Sequence, residues 1–213
     1  MRIGLIGGSF DPVHTGHLLL AEGAIRRHIK FIHISSGCIY HYDYEKDKPI
    51  AETKTPDFYD LLYSRSKIYA ENILENLARH HDILIARVRV PMDNKPHPKN
   101  ILTKLIKYKK VIDVPNSVTY IPDFVQALKH LLKVNARGTY NIVNKGPLYY
   151  DNLMKVYKKY VPSFTYELIK LKELRLVRTN LILSTRKLTA SGFPIRTTKE
   201  ILDECVKNYI KYL

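Results

Sequence analysis

Residues 31–67 read FIHISSGCIYHYDYEKDKPIAETKTPDFYDLLYSRSK. The run Phe31-Ile32-His33-Ile34 is predominantly apolar, reads as a strand and stops at the hydroxyl pair Ser35-Ser36. The stretch closes on Tyr63-Ser64-Arg65-Ser66-Lys67, a Tyr-x-x-x-Lys at the start of a predicted helix. Residues four apart share one helical face, so the phenol and the ammonium point at one ligand. A hydroxyl from a strand end, a phenol and an ammonium converging on a carbonyl suit proton delivery to a keto group as it is reduced.

The segments SSGCIYHYD (35–43), AETKTPDF (51–58), YSRSK (63–67) and RVRVP (87–91) occur in this order, with Ser36 placed 27 residues before Tyr63. Tyr-x-x-x-Lys alone arises by chance, but the ordered set resembles the extended short-chain dehydrogenase/reductases. Within them it is most similar to the dTDP-4-dehydrorhamnose reductases and the plant and viral UDP-4-keto-rhamnose epimerase/reductases. The resemblance implies an α/β fold: a shortened Rossmann-like parallel sheet flanked by helices, with a small C-terminal substrate lobe. It also implies NADPH or NADH as cofactor and a nucleotide-linked 4-keto-6-deoxysugar as substrate. Tyr63 would donate the proton, Lys67 would stabilise the phenolate and hold the cofactor ribose, and Ser36 would hydrogen-bond the carbonyl oxygen. Ser35 and Pro91 would join Tyr63 and Lys67 at the cofactor, with Cys38 and Asn100 at the substrate.

Downstream of Lys67 the apolar positions Ile68, Ala70, Ile73, Leu74 and Leu77 continue a helix, and Ile83 to Val90 reads as a buried β-branched strand. The Pro-rich segment Pro91–Pro98 reads as a loop without regular structure. Asn100 opens the helix NILTKLIKY, as its cap or as a substrate contact, and capping is the simpler role. Further helices are expected over Ile121–Val134 and Tyr149–Tyr160 and from Thr198, with a strand over Gly138–Asn144. The spacing of Tyr149, Tyr150, Tyr157 and Tyr160 fits helix packing rather than a base-stacking platform.

Residues 1–28 read differently from residues 29–213. Arg2–Ile6 predicts a strand, Gly7-Gly8 a turn and Leu18–Ile25 a helix. The segment GGSFDPVHTGHL (7–18) resembles the first motif of the nicotinate mononucleotide adenylyltransferases. That likeness implies a phosphate site at Gly7, Gly8, Phe10, His14 and His17, serving ATP and Mg²⁺. Glycines admit backbone amides to a phosphate, and a helix N-terminus favours anions. The late Leu183-Ser184-Thr185-Arg186-Lys187-Leu188, however, fits the reductases' Leu-Ser-Thr-x-Lys-Leu better than the transferases' second motif.

The reductase pattern has its own gap. Gly4, Gly7 and Gly8 do not reproduce the Gly-x-x-Gly-x-x-Gly fingerprint, and one βα unit precedes Phe31 where a dinucleotide fold uses about six parallel strands. Three functions stay open: a sugar-nucleotide reductase, an adenylyltransferase, or a non-catalytic remnant. A homodimer mate or a partner chain would complete the cofactor site.

Composition narrows the partners. The 213 residues are 45% hydrophobic and 26% charged, ordinary for a globular chain, but the net charge is +15. The lysines (among them Lys54, Lys104, Lys107, Lys155, Lys199 and Lys211) are scattered, and no nucleic-acid module is recognisable, so no nucleic-acid partner is expected. No apolar run approaches the roughly 20 residues of a membrane span. The N-terminus breaks at Gly7-Gly8 and does not read as a signal peptide. Cys38 and Cys205 form no metal spacing, and His80-His81-Asp82 has no third ligand near it, so a reduced, cytoplasmic, metal-free protein is expected.

Overall fold

The computed structural model describes residues 3–6, 15–112, 114–174 and 177–213, with the side chains of residues 5, 6, 15–18 and 21 left aside. In chain order the elements are β1 (Ile3–Ile6), α1 (Thr15–Arg26), β2 (Lys30–Ser36), α2 (Leu62–Ala78), β3 (Ile83–Val88), β4 (Pro91–Met92), α3 (Ile101–Tyr108) and β5 (Lys110–Ile112). They continue with β6 (Thr119–Tyr120), α4 (Ile121–Lys133), β7 (Gly138–Asn141), α5 (Tyr150–Tyr160), β8 (Glu167–Ile169), α6 (Arg186–Ala190) and α7 (Thr198–Ile210).

The main sheet has the order β1-β2-β3-β7 and every pairing in it is parallel. Its central strands read as continuous apolar runs because helices cover both faces; Ile83, Leu84, Ile85 and Ala86 are all fully buried. One face packs Phe31, Ile83 and Ile85 against Ala24 and Leu74. The other packs Ile32, Leu84 and Ala86 against Ala127, Leu131 and Leu188. Ile3 to Ile6 of the N-terminal strand pair in register with Lys30 to His33. Among the described residues the sheet advances in one direction from β1 to β7, without the reversal of strand order found in a complete dinucleotide fold.

A second core gathers beside the sheet. β5 pairs in parallel with β8, and α3, α5 and α7 pack Leu102, Leu105, Leu153, Met154, Tyr157, Cys205 and Val206 beside them. Tyr150 and Tyr157 are buried in α5, whereas Tyr149 is exposed and Tyr160 donates to Asp203.

Two sequence expectations need correcting. The strand after α2 ends at Val88, not Val90, because Val90 adopts a left-handed φ of 39°. That conformation is costly for a β-branched residue that also precedes a proline. Pro91 is not in an irregular loop; with Met92 it forms a two-residue parallel ladder with Thr119 and Tyr120. Proline's missing N–H is tolerated there because the strand is so short and Pro91 itself is exposed. His80 and His81 cap no metal cluster; the neighbouring Asp82 instead accepts from the buried Lys30 at 2.6 Å. Among the described residues no group of His, Cys, Asp and Glu is arranged to hold a metal, and no helix is long and apolar enough to cross a membrane.

One buried ion pair ties α2 to β3. Arg87 donates from Nε and Nη2 to the Glu71 carboxylate at 2.6–3.1 Å, with both side chains 1% exposed. Nη1 donates to the carbonyl of Glu52 at 3.2 Å, and the guanidinium lies over the Tyr40 ring. Removing one partner strands the other charge in the interior. Glu71→Leu is therefore expected to cost about 3–5 kcal/mol in urea unfolding. The double variant Glu71→Leu/Arg87→Met should cost distinctly less than Glu71→Leu alone.

Candidate active site

The carboxyl ends of the four parallel strands lie on one side, where open α/β sheets bind ligands. β2 delivers Ser36 to that edge. The chain turns at Gly37, whose N–H donates to Val88 O at 2.9 Å, and Ser36 Oγ accepts from Cys38 N at 3.1 Å. Gly37 has no room for a side chain, since a Cβ there would sit 2.8 Å from Leu183 Cδ1. The buried Ser64 Oγ donates to Cys38 O at 2.5 Å, which pins the first turn of α2 to this loop. Tyr63, one residue earlier, is thereby held with its phenol near the Ser36 hydroxyl.

Lys67 follows one turn on. It is 2% exposed, its Nζ lies 5.8 Å from the Tyr63 ring centroid and it donates to Ile34 O at 3.1 Å. Burial lowers its ammonium to about 8, against the opposing charges of Glu71 and Cys38. Burial also raises the Tyr63 phenol; the Ser36 hydrogen bond and the Arg89 charge pull the other way. The three residues expected to be catalytic are therefore neighbours, with the Ser36 hydroxyl near the phenol and the Lys67 ammonium 5.8 Å from its ring centroid.

Beyond them opens a cavity of about 690 Å³. Tyr63 and Cys38 form one wall; Arg89, Lys104, Lys110 and Arg178 also line it, and no carboxylate does among its described lining residues. Arg89 is 4% exposed, donating to Cys38 Sγ, to Asn116 Oδ1 at 3.1 Å and to Thr179 O. Cys38 is pulled in two directions: burial raises its thiol, while the Arg89 charge and hydrogen bonds with Ser36, Thr179 and Arg89 lower it, leaving it below the ordinary thiol value. Tyr150 Oη, also buried on this wall, has no hydrogen-bond partner of bonding geometry among the described residues.

The remaining expected residues lie as follows. Ser35 is buried at the end of β2 with its Oγ unpartnered among the described residues. Cys38 lines the cavity. Asn100 takes the capping role: Oδ1 accepts from Leu102 N at 3.1 Å, while Nδ2 donates to Asp93 O and Lys95 O. Pro91 sits on β4 and does not line the cavity. Gly7, Gly8, Phe10 and His14 lie outside the described residues, and His17 falls in α1 with its side chain outside the description. In the late motif, Lys187 donates to Thr139 O at 2.7 Å and lies 4.3 Å from the Tyr140 ring centroid, anchoring α6 to β7.

The sequence reading did not single out Arg89, Lys104, Lys110, Arg178 or Tyr150 as site residues. Arg89 carried the best signal, as a second cation two residues after Arg87 in an otherwise apolar run. The others converge only through tertiary packing.

The described residues fit the nicotinamide end of a dinucleotide. The orphaned, buried Ser35 hydroxyl lies at a strand's carboxyl end, next in the chain to Ser36, which contacts Tyr63 beside Lys67. Gly7 and Gly8, expected at a phosphate, lie outside the described residues.

Comparison with known proteins places the chain among sugar-nucleotide enzymes. A bifunctional dTDP-4-dehydrorhamnose 3,5-epimerase/dTDP-4-dehydrorhamnose reductase of Arabidopsis thaliana is 31% identical over 200 residues, covering 88% of this chain but only 65% of the relative's length. The crystal structure of the UDP-rhamnose synthase of Acanthamoeba polyphaga mimivirus superposes with a TM-score of 0.80 at 21% identity, covering 98% of this chain and 79% of that one. The N-terminus has a separate likeness: a probable nicotinate-nucleotide adenylyltransferase of Gluconobacter oxydans is 69% identical over 26 residues, 12% of this chain and 13% of that protein. The family model for the NAD dependent epimerase/dehydratase family matches residues 10–144. With that match spanning more than half of the chain and the Ser36–Tyr63–Lys67 cluster at the sheet's carboxyl edge, the protein belongs to the NAD dependent epimerase/dehydratase family.

Proposed function

We propose that the chain carries out NAD(P)H-dependent reduction of a nucleotide-linked 4-keto-6-deoxysugar, in the synthesis of a rhamnose-type sugar nucleotide. The observation that carries this reading is the clustering of Ser36, Tyr63 and Lys67 beside a cavity lined by four cations. A keto group at that wall meets a hydroxyl that orients it and a phenol that protonates it. Arg89, Lys104, Lys110 and Arg178 supply the positive field that a nucleoside diphosphate requires. The printed name of the Arabidopsis relative supports the same substrate class.

Ser35, Tyr63 and Lys67 would hold the nicotinamide riboside end of the cofactor. A reduced nicotinamide, when bound, supplies the hydride. The chain's own residues manage the proton. Tyr63, kept protonated by burial, donates from Oη to the developing alkoxide, and Ser36 Oγ fixes the direction of the carbonyl. The Lys67 ammonium stabilises the resulting phenolate. A homodimer mate or partner chain would complete the adenosine end, since among the described residues the sheet has no reversed half.

A second activity, epimerisation beside the keto group, is favoured by Cys38. Its thiol is held below the ordinary value and faces the same cavity as Lys104, so a base and a cationic acid can address a carbon acidified by the ketone. The adenylyltransferase reading rests on partial likenesses over 26 to 72 residues, at most 33% of the chain.

Three measurements test these readings. Oxidation of NADPH or NADH should depend on a dTDP- or UDP-linked 4-keto-6-deoxysugar, and Tyr63→Phe should lower the rate about 10²–10⁴-fold with an unchanged melting curve. Undiminished turnover in that variant would remove Tyr63 from the mechanism. The rate should fall as pH rises through about 8, because Lys67 then loses the charge that stabilises the Tyr63 phenolate, while Tyr63 itself stays protonated. A profile flat to pH 10, roughly the free phenol's range, would refute the lysine's role. In deuterium oxide the sugar should take up solvent deuterium beside the keto carbon with the native protein and not with Cys38→Ala; equal uptake would sink the epimerase reading.

A further inference from the structure

Arg87 and Arg89 lie two residues apart and both are buried, yet their charges are treated differently. Arg87 is neutralised by the Glu71 carboxylate. Arg89 is held, among the described residues, by Asn116 Oδ1, Thr179 O and the Cys38 sulfur, none of them a carboxylate. A buried cation without a carboxylate partner is costly, so other bonds must enforce its position. Thr119 fixes the backbone: Arg89 N donates to Thr119 Oγ1 at 2.9 Å, and Thr119 N donates to Arg89 O at 2.7 Å. Asn116 fixes the guanidinium, with Nη2 donating to Oδ1 at 3.1 Å.

Asn116 is fully buried and each of its polar atoms is engaged. Oδ1 also accepts from Leu181 N at 3.2 Å, which sets the amide's orientation and turns Nδ2 to donate to Asn180 Oδ1 at 3.0 Å. Its backbone exchanges two hydrogen bonds with Leu148, at 3.0 Å and 2.7 Å. One residue thus joins three segments that reach the cavity: Arg89 just after β3, the 177–179 segment with Arg178, and the lead into α5 with Tyr150. An aspartate would fill the same space, but it would cancel the charge of Arg89 as Glu71 cancels that of Arg87.

We propose that Asn116 is a positioning residue for ligand recognition: it holds the Arg89 guanidinium through a neutral oxygen, so that the charge stays available to an anionic group in the cavity. This rests on the sugar-nucleotide reading, and the anionic group is the diphosphate. Arg89 Nε is buried and without a partner among the described residues, which leaves the guanidinium a donor unspent on the chain. A planar fork of donors suits phosphate oxygens.

The test is calorimetric titration of the full chain with UDP and dTDP over a series of sodium chloride concentrations. Asn116→Asp changes the charge with little change in shape, because Asn180 can turn its amide over and donate to the new carboxylate. It should keep the native melting curve or raise it, and weaken the binding of both nucleotides about tenfold or more. The weakening of binding by salt should also become shallower, since one cation no longer faces the ligand, a change that a packing role would not produce. Asn116→Ser shortens the acceptor without adding charge and should keep the native salt dependence, whatever its affinity. An Asn116→Asp variant that binds as tightly as the native protein, or more weakly but with the native salt dependence, overturns the proposal. Should that variant fail to fold, the native protein labelled with ¹⁵N-arginine decides. The Arg89 Nε–H signal, assigned by its loss in Arg89→Lys, should shift on UDP addition, and an unmoved signal overturns the proposal. Native protein that binds neither nucleotide removes the substrate class itself, a result distinct from native binding that is indifferent to position 116.

Discussion

The buried pair Arg87–Glu71 holds the site together. Glu71 lies one turn beyond Lys67 on α2, and Arg87 lies next to the carboxyl end of β3, two residues before Arg89. Joining them fixes the helix that carries Tyr63 and Lys67 against the strand that leads to Arg89. The same guanidinium reaches back to Glu52 O and packs on Tyr40, so the long connection between β2 and α2 is gathered by it as well. Glu52 in turn accepts from Asn141 N at the end of β7. One ion pair thus sets the mutual position of three strand ends and one helix. Its desolvation is expensive, and its return is geometric definition rather than stability.

The strand ends use their polar residues in two different ways. Ser36 and Ser64 spend hydrogen bonds on the loop at Gly37, where an added Cβ would press on the Leu183 side chain. Ser35 Oγ, Arg89 Nε and Tyr150 Oη have no partners among the described residues although buried. Buried polar atoms are nearly always satisfied, so the two orphans on residues that line the cavity, Arg89 Nε and Tyr150 Oη, mark a place shaped for something other than the chain itself. The left-handed Val90 belongs to the same picture, a backbone distortion between Arg89 and the β4 ladder.

The net charge of +15 takes on a more specific meaning in three dimensions. Some cations do sit as solvated surface residues, such as Lys159 and Lys155 beside acidic neighbours. Lys104, Lys110, Arg89 and Arg178, the first two and the last exposed and Arg89 buried, come from separate places in the chain to one cavity without a carboxylate among its described lining residues. A scattered distribution along the sequence conceals a concentrated one in space, because the second core folds α3, β5 and the 177–179 segment over the sheet's edge.

Local pattern determined much of this protein on its own. The apolar run to Ser36, the Tyr-x-x-x-Lys helix start and the β-branched strand after it specify a parallel α/β layer, since period and strand ends are written in neighbouring residues. The capping of α3 by Asn100 was legible for the same reason. Other features were decided by the tertiary structure alone. That the first strand joins the main sheet beside β2 depends on register between distant segments. That strand three stops at Val88 and that Pro91 pairs with Thr119 depend on a backbone twist no propensity encodes. The state of Cys38 depends on a guanidinium 51 positions away brought into contact with its sulfur. Sequence spacing fixes what lies within a turn or along a strand; burial, charge pairing and cavity shape arise only when remote segments share one volume.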